Sequence, residues 1–312
     1  MGNETMDLAA DHVVEAILRD ELAREARALA AVVPVLRHLL ASDADALVSD
    51  AILARVRGMI RDLAAQLVAV EAGHDPATRA SVFNDLAALD ELAARLMADE
   101  ALLGHCHALA AESLIAGRLQ QRHALDPVLC PLLQELIASE DVDIASLAMG
   151  ALAAQSRFVQ SQRRMELPLG ELPVELFHAL VAQVQASDPD SDALVRLQVG
   201  YDEAATRIGR LARLVSAMRR GAVAGLTLDH AGLALFASTL AVAARVPRED
   251  AVLACHQGQG LRLVLMLRTA GLMASAIERQ LVMVEPAGRL PRRLAEISPE
   301  HAAALVDSGG QR

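Results

Sequence analysis

Residues 51–73 read AILARVRGMIRDLAAQLVAVEAG, and the apolar positions Leu53, Val56, Ile60, Leu63, Leu67 and Val70 step alternately by three and four. That spacing keeps one face of an α-helix apolar, while Arg55, Arg57, Arg61, Asp62 and Gln66 fall on its other faces. Gly73 supplies a stop, and Asp75-Pro76 reads as a cap followed by proline at the first helical position. The same punctuation continues outward along the chain.

Upstream, the first ~40 residues form an amphipathic stretch with a kink expected at Pro34, because proline removes a backbone donor and clashes with the preceding turn. Downstream, helices are predicted from Pro76 to Glu100, from there to His123, from Pro127 to Ser139, and from Asp141 to Arg164. A connector then repeats Glu-Leu-Pro around a glycine, from Glu166 to Pro173. Each proline biases the residue before it away from helix, so an ordered loop is expected, followed by a helix to Ala186. The turn cluster from Asp188 to Asp192 opens what reads as one long helix. Its seam is Leu194, Leu197, Tyr201, Ala204, Ile208, Leu211, Val215 and Met218, closed by Gly221 and Gly225. Three or four shorter helices are expected between Thr227 and Val284, then an Arg- and Pro-rich stretch and a short helix from Pro299. No strand pattern and no Rossmann or Walker motif appears. The expected fold is all-α, an array of stacked helical hairpins of HEAT-like type with no sheet. Its expected divisions are an N-terminal helical bundle over 1–110, an all-α domain over 111–290 and a tail over 291–312.

Composition sets the chemistry of the core. Hydrophobic residues make up 54% of the chain but aromatic ones only 2%, so Ala, Leu and Val must supply the packing, which favours closely approaching helices. Every basic residue is Arg, which together with the abundant Ala suggests a GC-rich bacterial genome. A net charge of −11 argues against nucleic-acid binding, which needs a surplus of basic surface to displace counterions from phosphates. Cys106, Cys130 and Cys255 are too few and too scattered for a disulfide framework or zinc cluster, and an acidic N-terminus lacks the features of a signal peptide. The apolar stretch from Gly232 to Ala244 is too short to span a bilayer. A cytoplasmic protein without cofactor, metal, nucleic-acid partner or membrane span is expected.

The segments LIAGRLQQRHALDPVLCPLLQELIASEDVDIASLAMGALAAQSRFVQSQRRMELPLGELPVELFHALVAQ (114–183) and LALFASTLAVAARVPREDAVLACHQGQGLRLVLMLRTAGL (233–272) resemble an alphaproteobacterial domain family of unknown function. The resemblance covers roughly residues 110 to 290. In the second segment it rests on Phe236, the Val246-Pro247 restart, the turn from His256 to Gly260 and Arg268-Thr-Ala-Gly271. It implies an all-helical fold of HEAT-like hairpins, and brings no activity, cofactor or catalytic residue with it.

Few residues suggest chemistry. His105-Cys106-His107 is the densest ligand group, yet residues two apart on a helix diverge by ~200°, so the two histidines cannot share a metal unaided. Cys255-His256 has no local base in a nucleophile's position, and His178 beside Phe177 reads as a histidine of the core or its boundary. The turn Gly258-Gln-Gly260 lacks the strand and lysine of a phosphate loop and reads as an interhelical turn. The stronger signal is arginine. Arg207, Arg210 and Arg213 recur every third residue, Arg219 and Arg220 crowd the expected helix end, and Arg157, Arg163 and Arg164 precede the Glu-Leu-Pro loop. If their helices run antiparallel, these residues form one basic face on an acidic body, suited to an anionic ligand or a docking protein. The expected function is therefore a noncatalytic interaction or regulatory module with a protein partner, self-association being one variant. The alternatives are a small-ligand sensor with an interhelical cavity and an enzyme with a dispersed His/Cys site.

Overall fold

The computed structural model describes residues 47–77, 86–185, 192–290 and 297–309. The Pro34 kink, most of the Asp188 turn cluster and the Arg/Pro-rich stretch around 291–296 lie outside them. The described residues form thirteen α-helices and no strand, so the chain is all-α as expected. In order these are α1 (Asp50–Glu71), α2 (Leu86–Leu96), α3 (Glu100–His123), α4 (Pro131–Ile137), α5 (Val142–Arg164), α6 (Val174–Gln185) and α7 (Asp192–Val199). Then come α8 (Arg207–Met218), α9 (Leu228–Ala244), α10 (Arg248–Ala254), α11 (Gly260–Thr269), α12 (Ala274–Val284) and α13 (Pro299–Gly309).

The boundaries follow capping chemistry. Asp99 accepts a hydrogen bond from the Leu102 amide and starts α3, while Asp141 accepts from Asp143 and Ile144 and starts α5. Asp126 caps a turn through the Val128 and Leu129 amides, but the helix expected at Pro127 begins instead at Pro131, directly after Cys130. The long helix expected from Asp192 to Met218 is broken. Helix α7 ends at Val199, and the chain makes a short 3-10 turn over Glu203–Ala205 before α8 starts. Two local acceptors compete with a continuous helix there: Asp202 takes the Ala204 amide and Thr206 takes the Gly209 amide at 3.0 Å. Gly209 is required at this restart, because a Cβ would collide with the Glu203 carbonyl oxygen.

From Ala51 onward the chain forms one compact unit with two apolar clusters. The first joins α1, α2, the N-terminal half of α3, the Glu-Leu-Pro loop, α6 and α7, with Phe177 fully buried in it. The second surrounds α9 with α4, α5, α8, α10, α11, α12 and the C-terminal half of α3. Residue 110 thus falls inside the continuous helix α3, which carries Leu102, Cys106 and Leu109 into one cluster and Ile115 and Leu119 into the other.

Helix α9 packs against α3, α4, α8, α10 and α11, and against the 3-10 segment Arg219–Leu226. In a stacked hairpin array each unit touches only its neighbours. Here a central helix is wrapped on most sides, and the contacts bear out the all-α class without confirming the HEAT-like arrangement. Among the described residues no single helix is long and apolar enough to cross a membrane; α9 and α10 reach the required length only as a pair bent by 116°.

Candidate ligand-binding site

The Glu-Leu-Pro loop is held from below by one face of α1. Met165 ends α5 in the left-handed conformation, after which Leu167, Leu169 and Leu172 turn into the first cluster and leave their backbone to be satisfied. Gln66 does this with both ends of its amide, Nε2 donating to the Leu167 carbonyl and Oε1 accepting from the Leu169 amide, each at 2.9 Å. Asp62 accepts from the Leu167 amide, and the Tyr201 hydroxyl donates to the Leu172 carbonyl at 2.7 Å. Glu171 then accepts from the Arg207 amide at the start of α8.

Arg207 is 2% exposed. Its guanidinium grips both carboxylate oxygens of Glu112 at 2.8 Å, donates to Gln155 Oε1 and lies 3.7 Å from the centre of the Phe158 ring. Arg248 grips the same carboxylate from the other side at 2.6 and 2.8 Å, and its Nε donates to Ser238. Burial alone would raise the Glu112 pKa, but the two guanidiniums and their hydrogen bonds outweigh it and hold the carboxyl well below the usual range. This bridge ties α3, α5, α8, α9 and α10 together. Next to it, Glu249 meets His105 Nδ1 at 3.2 Å.

Between the end of α5, the loop and the start of α8 lies a cleft of about 480 Å³. Phe158, Ser161 and Gln162 form one wall, Leu167 and Gly170 another, and Ile208 a third. Gln162 is buried; its Nε2 approaches Met59 Sδ at 3.2 Å, while its Oε1 has no partner among the described residues. A smaller hollow of about 330 Å³ shares Glu171 and Ile208 with the cleft.

The eight arginines of the expected basic face are distributed, not merged. Arg157 and Arg164 are exposed residues of the cleft lining, with Arg164 lying 3.9 Å from Glu166, and Arg207 lines the cleft from within the protein. Arg213 lines the smaller hollow, and Arg163 lines a third, separate one. Arg210 folds back, its Nε donating to the Ala205 carbonyl and its guanidinium lying over Gly150. Arg219 and Arg220 are exposed beyond the end of α8. The reason is geometric: steps of three on a helix drift by ~60° each, so Arg207 and Arg213 point ~120° apart. A docking face that includes Arg207 on the surface is thereby corrected, whereas Arg157, Arg164 and Arg207 do meet across α5 and α8.

The histidines and cysteines go to separate places. Cys106 is buried in the first cluster and Cys255 in the second, and burial pushes both thiols up to about 12, leaving them protonated at neutral pH. His178, expected in the core or at its boundary, is exposed at the edge of the Phe177–Tyr201 stack. No group of three His, Cys, Asp or Glu residues that would hold a metal occurs among the described residues.

Sequence reading missed Glu112, Arg248, Gln155 and Gln66. Glu112 carried a signal: it continues the three-and-four spacing of Leu102, Leu109, Ile115 and Leu119, so a carboxylate was headed for the buried side of α3 and needed a cation. No known protein family, curated protein or solved structure matches the chain, so the site stands on its own geometry.

Proposed function

We propose that this protein is a noncatalytic binding protein that takes a small organic ligand in the cleft between α5, the Glu-Leu-Pro loop and α8. The observation that carries this reading is the cleft itself. At about 480 Å³ it falls within the size range of small-molecule sites, its walls are largely apolar, and it presents a few polar groups, among them Arg157, Arg164 and Glu171. The loop supports it further, since hydrogen bonds from α1 hold that wall in place before any ligand arrives. The buried, protonated thiols supply no nucleophile, which favours binding over catalysis. Three free buried cysteines fit the reducing cytoplasm.

The role of a regulatory module follows from the same place. Arg207 belongs both to the cleft lining and to the bridge between the two clusters, so a ligand that shifts Arg207 is felt in both. Native mass spectrometry of the protein taken directly from cells tests the reading. A retained small molecule, lost when Ser161→Phe fills the cleft, is the expected result; a bare polypeptide mass together with no stabilisation by any member of a metabolite library would overturn it.

A further inference from the structure

A third hollow, of about 170 Å³, opens where α1, α3, α5 and α9 come together, with Phe158 as a wall shared with the cleft. Its charge differs from the cleft's. Arg55 of α1 and Arg163 of α5 line it, with Ser113 and Gln120 of α3. Among the described residues its one lining carboxylate is Glu112, and both oxygens of Glu112 are already taken by Arg207 and Arg248. Gln155 is equally committed, to the Pro127 carbonyl through Nε2 and to Arg207 through Oε1.

Among the described residues, the two lining cations therefore lack a counter-charge. Among the described residues Arg55 Nη1 donates to the Ala51 carbonyl of its own helix alone, and its Nε is buried without an acceptor. Arg163 has no carboxylate within ion-pair distance among the described residues. In the bridge beneath, two guanidiniums share the Glu112 carboxylate, so it is not free to neutralise Arg55 or Arg163. Cations gathered around a concave, partly apolar hollow raise the local concentration of anions, and a guanidinium with free N–H groups offers the planar fork that suits a carboxylate or phosphate.

We infer that this hollow binds a small oxyanion, a carboxylate or a phosphate, through Arg55 and Arg163. Ser113 and Gln120 stand beside it as further polar groups, while Val159, Leu233 and Ala116 leave room only for a short apolar remainder. The volume excludes a drug-sized molecule, so the occupant is distinct from the ligand of the larger cleft.

Titration calorimetry of the full chain with inorganic phosphate and, separately, with butyrate tests this and tells the two headgroups apart. Saturable binding of at least one is expected, weakening as salt is added. Arg163→Gln and Arg55→Gln should each weaken it by about tenfold, the order expected for one charge-assisted hydrogen bond. Arg163 is exposed, so its variant folds even if Arg55→Gln does not. Arg220→Gln, at a residue that lines neither the hollow nor the cleft, should leave phosphate or butyrate binding unchanged. Absence of saturable binding for both probes, or binding that Arg163→Gln leaves intact, would overturn the assignment without bearing on the larger cleft.

Discussion

The two apolar clusters are built by different means. The second is a helix packed in helices: buried residues occur on most faces of α9, and Phe236 is fully buried. The first is closed on one side by a loop, and its integrity depends on side chains that satisfy backbone, namely Gln66, Asp62 and Tyr201. A cluster closed by packing tolerates polar loss elsewhere, whereas one closed by a loop fails where its hydrogen bonds fail. The Glu112 bridge sits where the clusters adjoin, and the cleft opens on the side of the loop.

The largest effect should come from the bridge. Glu112→Ala leaves two buried guanidiniums uncompensated and should cost about 3–5 kcal/mol in urea denaturation, the usual penalty for removing one partner of a buried ion pair. Replacing Glu112, Arg207 and Arg248 together by Leu, Met and Leu should cost far less, since no charge is then stranded. The pH dependence has a defined sign. A carboxyl whose folded pKa is depressed contributes its stability above the ordinary glutamate range and loses it as pH falls toward the folded value. The difference between the wild type and Glu112→Gln should therefore persist through neutral pH and shrink only in acid.

The next effect belongs to the first cluster alone. Gln66→Ala strands the Leu167 carbonyl and the Leu169 amide in a buried site, and a loss of about 2–3 kcal/mol is expected from two such groups. Amide exchange at Leu169 should speed up while the amides of α9 keep their protection. Equal loss of protection in both clusters would mean that the loop is no separate element and that the two clusters are held in the same way.

The all-α fold was legible because periodicity and capping residues are local signals. The spacing of Ile60, Leu63, Leu67 and Val70 places all four in the core, and the start of α5 follows from Asp141 alone. The break between α7 and α8 was missed because the apolar seam runs through it unbroken, while the decisive competition is between a helical hydrogen bond and the Thr206 hydroxyl. The site was legible only in part. Arg157, Arg164 and the Glu-Leu-Pro loop do converge, but the partner of Arg207 lies 95 residues away along the chain, and no local pattern carries that pairing.

A smaller effect separates backbone from side-chain control in the second cluster. Gly232 lies in α9 with φ 64° and ψ 165°, a conformation open essentially to glycine, and a Cβ there would also meet Cys130 Cβ at 3.0 Å. Gly232→Ala should cost about 1–3 kcal/mol through backbone strain, read as a lowered melting temperature. Its effect should stay within the second cluster, leaving ligand retention in the cleft intact.

The smallest expected effect is at Tyr201, whose ring stacks on Phe177 at 4.0 Å between centroids and whose hydroxyl anchors the loop at Leu172. Tyr201→Phe keeps the stack and removes one hydrogen bond, a loss of about 1 kcal/mol. Partial burial, with Glu203, Glu175, Asp202 and Glu171 nearby, pushes the phenol up to about 12. A group whose folded pKa is raised contributes stability that is complete below the unfolded value and lost as pH rises through the folded one. The wild type should thus lose stability between about pH 10 and 12 in a way that Tyr201→Phe does not. Tyr201 is the only tyrosine, so absorbance of the phenolate reads its titration directly. A midpoint near that of free tyrosine would show that the loop does not close over the ring, and that the first cluster is as open at this edge as a surface helix.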